Sequence, residues 1–160
     1  MVKNNEKLYK GRAGQLYVMS LLLAQGWNVA IPEVDTGDDV FVVNDNNGDF
    51  KKVQVKTTYT SLQQKEEYFK VKFNIPGAQL LLEQNVQLIY AFVVLKASGF
   101  YPGVILIESG ELENKLSLLN KKIISGNINF YLEFVSQKVF SQSLDLTQYL
   151  NNFTLFPSQF

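Results

Sequence analysis

The chain has 160 residues, 46% hydrophobic and 19% charged, with 15 basic and 15 acidic side chains. That length suits one domain with a real core, and the zero net charge excludes a global pull toward nucleic acid or anionic membrane. Cysteine and histidine are both absent, which excludes disulfides, thiolate or imidazole metal sites, and Ser-His or Cys-His nucleophile pairs.

Any polar chemistry must therefore use Asp, Glu, Lys, Tyr, Gln or a hard metal ion. The opening MVKNNEKLYKGR is polar and basic, and no signal-peptide pattern follows it. The next apolar run breaks at Gln25, far short of a membrane span. A cytoplasmic protein with no membrane partner is expected.

In chain order, Leu8, Leu16, Tyr17, Met19, Leu21, Leu22 and Leu23 recur at helical spacing, predicting a helix over 8–24 that ends at a Gly26 C-cap with this stripe in the core. Trp27–Ile31 reads as a short strand ended by Pro32. Val40–Asn44 and Lys51–Thr57 read as a hairpin joined by Asp45-Asn46-Asn47-Gly48. Lys70–Ile75 alternates as a half-buried strand does, with Tyr68 and Phe69 read as packing residues, and 78–85 as a short helix. Gln87–Lys96 is a continuous apolar run, predicting a strand buried on both faces. Gly103–Glu108 is another strand, and Ser109 is the expected N-cap of a helix through Leu119. Asn127–Ser136 predicts a strand, and Leu146–Phe153 a short helix. The order implies one α/β domain over residues 1–160, built around one mixed sheet.

The chemistry concentrates in the hairpin. Asp39 precedes the apolar run VFVV. Gln54 and Lys56 are two residues apart, so both face the same side of the partner strand, while Val53 and Val55 face the other. Across the hairpin Asp39 can approach Gln54. An Asp oxygen, a Gln oxygen and a backbone carbonyl are hard ligands that suit Mg²⁺. A lysine alongside can orient a water or stabilise a pentavalent phosphate.

The pattern Gly11-x-x-Gly14-Gln15, Gly26-Trp27, Asp35-x-Gly37-x-Asp39 and Val53-Gln54-Val55-Lys56-Thr57 resembles the PD-(D/E)XK nuclease superfamily. It is similar above all to small archaeal Holliday-junction resolvases and cyanobacterial intron homing endonucleases. The resemblance spans roughly residues 8–75. It implies a restriction-endonuclease-like αβββαβ core, with a central mixed sheet flanked by helices, and a metal-dependent DNA endonuclease using Mg²⁺ or Mn²⁺. The implied catalytic residues are Asp39, Gln54, Lys56 and Gln15. The implied metal ligands are Asp39, Gln54 and the Val55 carbonyl. The family carries Glu where Gln15 stands, and Gln54 is neutral too, so Asp39 is the certain anion. Asp38, Asp35 or Glu33 could supply a second.

DNA binding needs local positive charge. Lys3, Lys7, Lys10 and Arg12 crowd the amino terminus, and Lys51, Lys52, Lys56 and Lys65 surround the site. The stretch TTYTSLQQK (57–65) is polar and carries hydroxyls suited to phosphate. Lys10, Arg12, Lys52, Thr57 and Thr58 are the expected DNA contacts. A two-fold homodimer is the expected assembly. Two other functions compete: a catalytically degenerate DNA-binding module on the same fold, and an accessory interaction protein. The second is suggested by the Phe-rich LTQYLNNFTLFPSQF, which a monomer must fold back and bury.

Overall fold

The computed structural model describes residues 2–34, 37–60, 68–82, 85–96, 99–123 and 125–160. Its elements are α1 (Val2–Ala24), β1 (Asn28–Ala30), β2 (Val40–Val43), β3 (Phe50–Thr60), β4 (Tyr68–Pro76), α2 (Gly77–Leu80) and β5 (Leu88–Lys96). β6 (Gly99–Glu108), α3 (Ser109–Leu118), β7 (Asn127–Val135), β8 (Lys138–Ser141) and β9 (Leu144–Asp145) follow.

The hairpin forms as its sequence demands. Asn44 Oδ1 accepts from the Asn46 N–H, and the Gly48 N–H donates to the Asn44 carbonyl at 2.8 Å. β2 then pairs antiparallel with β3, Val40 opposite Val53. β3 runs parallel to β5, and β5 antiparallel to β6. The central sheet is therefore mixed, in the order β1-β2-β3-β5-β6. The run of Leu88–Val94 is buried throughout, because β5 is a central strand covered on both faces. The expected αβββαβ order holds, with β4 interposed before α2.

Helix α1 covers one face. Val18 and Leu22 pack with Val40, Val42, Val53, Val55 and Ile89. The helix ends as expected: Gly26 adopts φ +82°, the Trp27 N–H reaches the Leu22 carbonyl and the Gly26 N–H reaches that of Leu23. The expected core stripe is corrected in part. Leu22 is fully buried and Tyr17, Met19 and Leu21 pack half-buried beside it, as expected, but Leu8, Leu16 and Leu23 are exposed and Val18 joins the buried stripe.

The other face is covered by α3, through Leu112 and Leu116, and by a second sheet. This sheet is antiparallel, in the order β4-β7-β8-β9. A single sheet was expected; β4 leaves the central one to pair with β7 along its whole length, Phe73 opposite Phe130. Phe73 packs edge-on against Phe92 of β5, which binds the two sheets together. Phe69 is core, as expected, but Tyr68 alternates onto the exposed face.

Other local expectations are corrected. Of the helix expected over 78–85, the described residues form only the four-residue α2, and residues 83 and 84 lie outside the described residues. Ser109 is the first helical residue, and the cap position belongs to Glu108, which makes no side-chain cap bond. Leu146–Phe153 forms a 3-10 turn over Thr147–Tyr149 and extended backbone, not a helix; the Leu150 and Asn151 backbones dock instead on β6.

The Phe-rich segment is used internally. Phe156 is fully buried edge-on against Trp27, and the Trp27 indole N–H donates to the Pro157 carbonyl at 2.9 Å. Phe156 of the segment that suggested an accessory interaction protein is thereby used by the fold, while Phe160 at its far end is exposed.

Candidate active site and nucleic-acid interface

Asp39 stands just before β2, where its N–H donates to the Val53 carbonyl at 3.0 Å. Its side chain reaches one residue pair further along β3. There Asp39 Oδ2 accepts from the Val55 N–H at 2.7 Å and from the Gln54 amide. Strand geometry turns the N–H and the carbonyl of one residue to the same edge. The Val55 carbonyl therefore points to the same edge of β3 as its N–H, the edge on which Asp39 lies.

Three glutamines gather near Asp39, one of them on its carboxylate. Gln15 of α1 donates to the Asp39 backbone carbonyl, and its own Oε1 accepts from Arg12 at 2.7 Å. Gln54 is buried, with its Nε2 on Asp39 and its Oε1 on the Gln79 amide at 2.5 Å. Gln79, on α2, also donates to the Gly37 carbonyl. Sequence reasoning missed Gln79, because one Gln in a four-residue helix has no pattern to mark it.

Gly14 explains how α1 comes so close. A Cβ there would lie 1.9 Å from Thr57 Oγ1, well inside contact distance, so only glycine lets the helix backbone rest on β3. That approach carries the neighbouring Gln15 to Asp39.

The candidates for a second anion differ. Asp38 is buried and held by Lys52 at 2.8 Å, so its charge is already balanced. Beside it, burial above all, and then the Asp38 carboxylate, push the Tyr90 phenol far above its ordinary range. Glu33 is exposed, and Asp35 lies outside the described residues. Among the described residues no three Asp or Glu side chains gather as a metal cluster.

Beyond Asp39, no described strand pairs with the outer edge of β3. A cleft of about 500 Å³ runs along it, between α1 and β4, lined by Val55 to Tyr59, Gly11, Phe73 and Asn74. Lys7, Lys10, Lys56 and Lys72 also line it. Converging ammonium groups in a concave wall focus positive potential and attract phosphate. Gly11 presents bare helix there, with nothing within 4 Å of where a Cβ would stand. Lys10 also pairs with Glu6 at 2.5 Å and lies 4.1 Å from the Tyr59 ring centre.

The structure brings together Lys10, Lys56, Thr57 and Thr58 of the expected residues. Thr58 Oγ1 donates to the Lys72 carbonyl at 2.9 Å, and Thr57 Oγ1 is buried against Gly14 without a hydrogen bond. Arg12 is exposed on α1 and held to Gln15, and Lys52 is committed to Asp38 outside the cleft. Lys3 is not described at its side chain, and Lys65 lies outside the described residues. Sequence reasoning missed Lys72, although the alternation of KVKFNI already set it on the open face.

The donor set bears on a divalent metal. Asp39 supplies one carboxylate and Val55 a carbonyl, both hard. Gln54 offers its N–H side to Asp39 and its oxygen to Gln79 here, so it would serve as a ligand only with its amide turned over. One carboxylate with neutral oxygens fits Mg²⁺, which keeps waters and takes substrate phosphate oxygens to complete its shell.

No family model matches this chain, and no curated protein is significantly similar to it. No helix is long and apolar enough to cross a membrane among the described residues. Among solved structures the chain is similar to a bacterial homing endonuclease, at 16% identity over 75% of this chain and 71% of that chain, with a TM-score of 0.46.

Proposed function

We propose that this chain is a DNA endonuclease of the PD-(D/E)XK kind, cutting phosphodiester bonds with Mg²⁺ or Mn²⁺ in the cytoplasm. One observation carries the reading: a carboxylate, Asp39, is fixed to the β3 backbone at the head of a cleft lined by four lysines. Phosphate would be drawn by Lys7, Lys10 and Lys72, with the backbone lying over Gly11. Lys56, two residues beyond Gln54 on β3, would face the scissile phosphate and offset the charge that grows on it. Asp39, Gln54 and the Val55 carbonyl would hold the cation, which supplies a nucleophilic water at neutral pH and Lewis acidity. Gln15 acts at one remove, by holding the Asp39 backbone.

A second reading has its own support. Gln54 sets a neutral amide on the single carboxylate, Gln15 a neutral amide on its backbone carbonyl, and Gln79 already engages the Gln54 oxygen. That arrangement also suits a protein that grips DNA without cutting it. Plasmid nicking separates the two. Supercoiled DNA with Mg²⁺ or Mn²⁺ is expected to be nicked, with EDTA and Lys56→Ala each abolishing it. Retained DNA binding with no nicking under either metal would leave the second reading standing. A homodimer is part of the proposal, since the exposed Leu8, Leu16 and Leu23 of α1 offer an apolar face for a second copy.

A further inference from the structure

The second sheet turns one face to the core and the other outward. The outward face of β4 and β7 carries Tyr68, Lys70, Lys72 and Asn74, opposite Val135, Glu133, Tyr131 and Asn129. Tyr68 and Tyr131 are large, exposed aromatics at 49% and 38%. Core packing does not account for rings on this side of a sheet.

Around Tyr131 the surface is hollowed. A recess of about 200 Å³ is lined by Tyr131, Lys70, Lys121, Glu133, Ser141 and Gln142. The Lys70 and Lys121 ammonium groups stand 5.8 and 5.9 Å from the Tyr131 ring centre. Ser141 Oγ donates to the Tyr131 carbonyl at 2.7 Å, which braces the strand beneath the ring. Glu133 also pairs with Lys70 at 2.6 Å. The recess thus combines an aromatic plate, two cations, and carboxylate and amide groups at its rim. A base stacks on an aromatic ring, its edge bonds to acceptors and amides, and the flanking phosphates seek cations.

The recess also adjoins the cleft. Lys72 lines the cleft and is the direct cross-strand partner of Tyr131. Directly opposed side chains in such a pair stand about 5 Å apart. A strand leaving the cleft over the β4 edge would meet Tyr131 next. We infer that this recess binds one unpaired nucleobase of a DNA strand leaving the cleft. The inference rests on the DNA-binding reading above and adds a feature to the substrate: single-stranded character beside the bound duplex.

The test is anisotropy of labelled DNA with the whole chain in EDTA, comparing a blunt duplex with the same duplex bearing a short single-stranded tail. The tail is expected to tighten binding at least about fivefold, the low end for one base stacked on an aromatic ring. Tyr131→Ala should erase that gain, Tyr131→Phe should keep it, and Lys121→Glu should reduce it. Equal affinity for both DNAs overturns the inference, as does a gain that survives both Tyr131→Ala and Lys121→Glu. The two readings fail separately. A protein that nicks plasmid but ignores the tail loses only the recess. One that prefers the tail but never nicks loses only the cleavage.

Discussion

Replacing Gly14 by alanine tests the contact that assembles the site. On helix propensity alone, Gly14→Ala should stabilise a helix interior by about 1 kcal/mol. The structure predicts the opposite sign. The new methyl would lie 1.9 Å from Thr57 Oγ1 and 3.0 Å from Thr57 Cβ and Cγ2. Either Thr57 turns away or α1 lifts by more than 1 Å, about the shortfall from van der Waals contact. Overpacking of this kind costs about 1–3 kcal/mol. After the propensity gain, a net loss of up to ~2 kcal/mol remains. Urea unfolding followed through the one tryptophan, buried beneath α1 as Trp27, reads it directly. Adding Thr57→Ala removes the nearest atom, so the double variant should recover most of the loss. The coupling between the two sites should exceed ~0.5 kcal/mol. A stabilised Gly14→Ala, or two effects that simply add, would refute the close approach of α1 to β3.

Other expectations follow from the same contacts. Phe156→Ala should cost about 3–5 kcal/mol, because the ring is fully buried against Trp27 and leaves a cavity; thermal unfolding measures it. For duplex binding, four phosphates met by the cleft lysines would give a slope of log K against log salt near −3.6, and Lys72→Ala should flatten it by about 1. An unchanged slope would take Lys72 out of the interface. The Tyr149 hydroxyl, 2.6 Å from Glu111, and then Lys115 hold the Glu111 carboxyl below its ordinary 4.5. Because the folded value is the lower one, these bonds stabilise the fold fully above the ordinary 4.5, and that contribution is lost as pH falls from there through the lowered folded value. Glu111→Gln should therefore lose less stability than the native chain on acidification, by a small margin because Glu111 is half-exposed. Equal losses would argue against it.

What the sequence revealed, and what it hid, divides by the range of the interaction. The hairpin was legible because Asn44-to-Asp49 turn chemistry and the alternation on either side are local. Asp39 and Gln54 follow from that register, since a slip of one residue would send Gln54 to the α1 face. β5 was legible from its unbroken apolar run. The second sheet was not, because β4 and β7 are some sixty residues apart and nothing local says which strand each will join. β8 and β9 hid for another reason. Their turns put Ser136 and Gln142 at positive φ, where glycine usually gives the signal. Gln79 and the buried Asp38–Lys52 pair depend on tertiary approach alone. The exposed leucines of α1 mislead any reading by hydrophobicity, because the helix rests on the sheet through Gly14, Val18 and Leu22 instead.

The Trp27–Pro157 hydrogen bond joins residues 130 apart, and Phe156 closes the layer beneath α1. During synthesis α1 and the β2–β3 hairpin leave the ribosome before residue 156, and that layer stays open until it emerges. Contacts of such long sequence separation slow folding, because the loop must close before they repay it. A nascent chain therefore carries Asp39, Gln54 and Lys56 for some time without a framework to hold them. Closure of the layer beneath the centre thus waits on the emergence of residues 156 and 157.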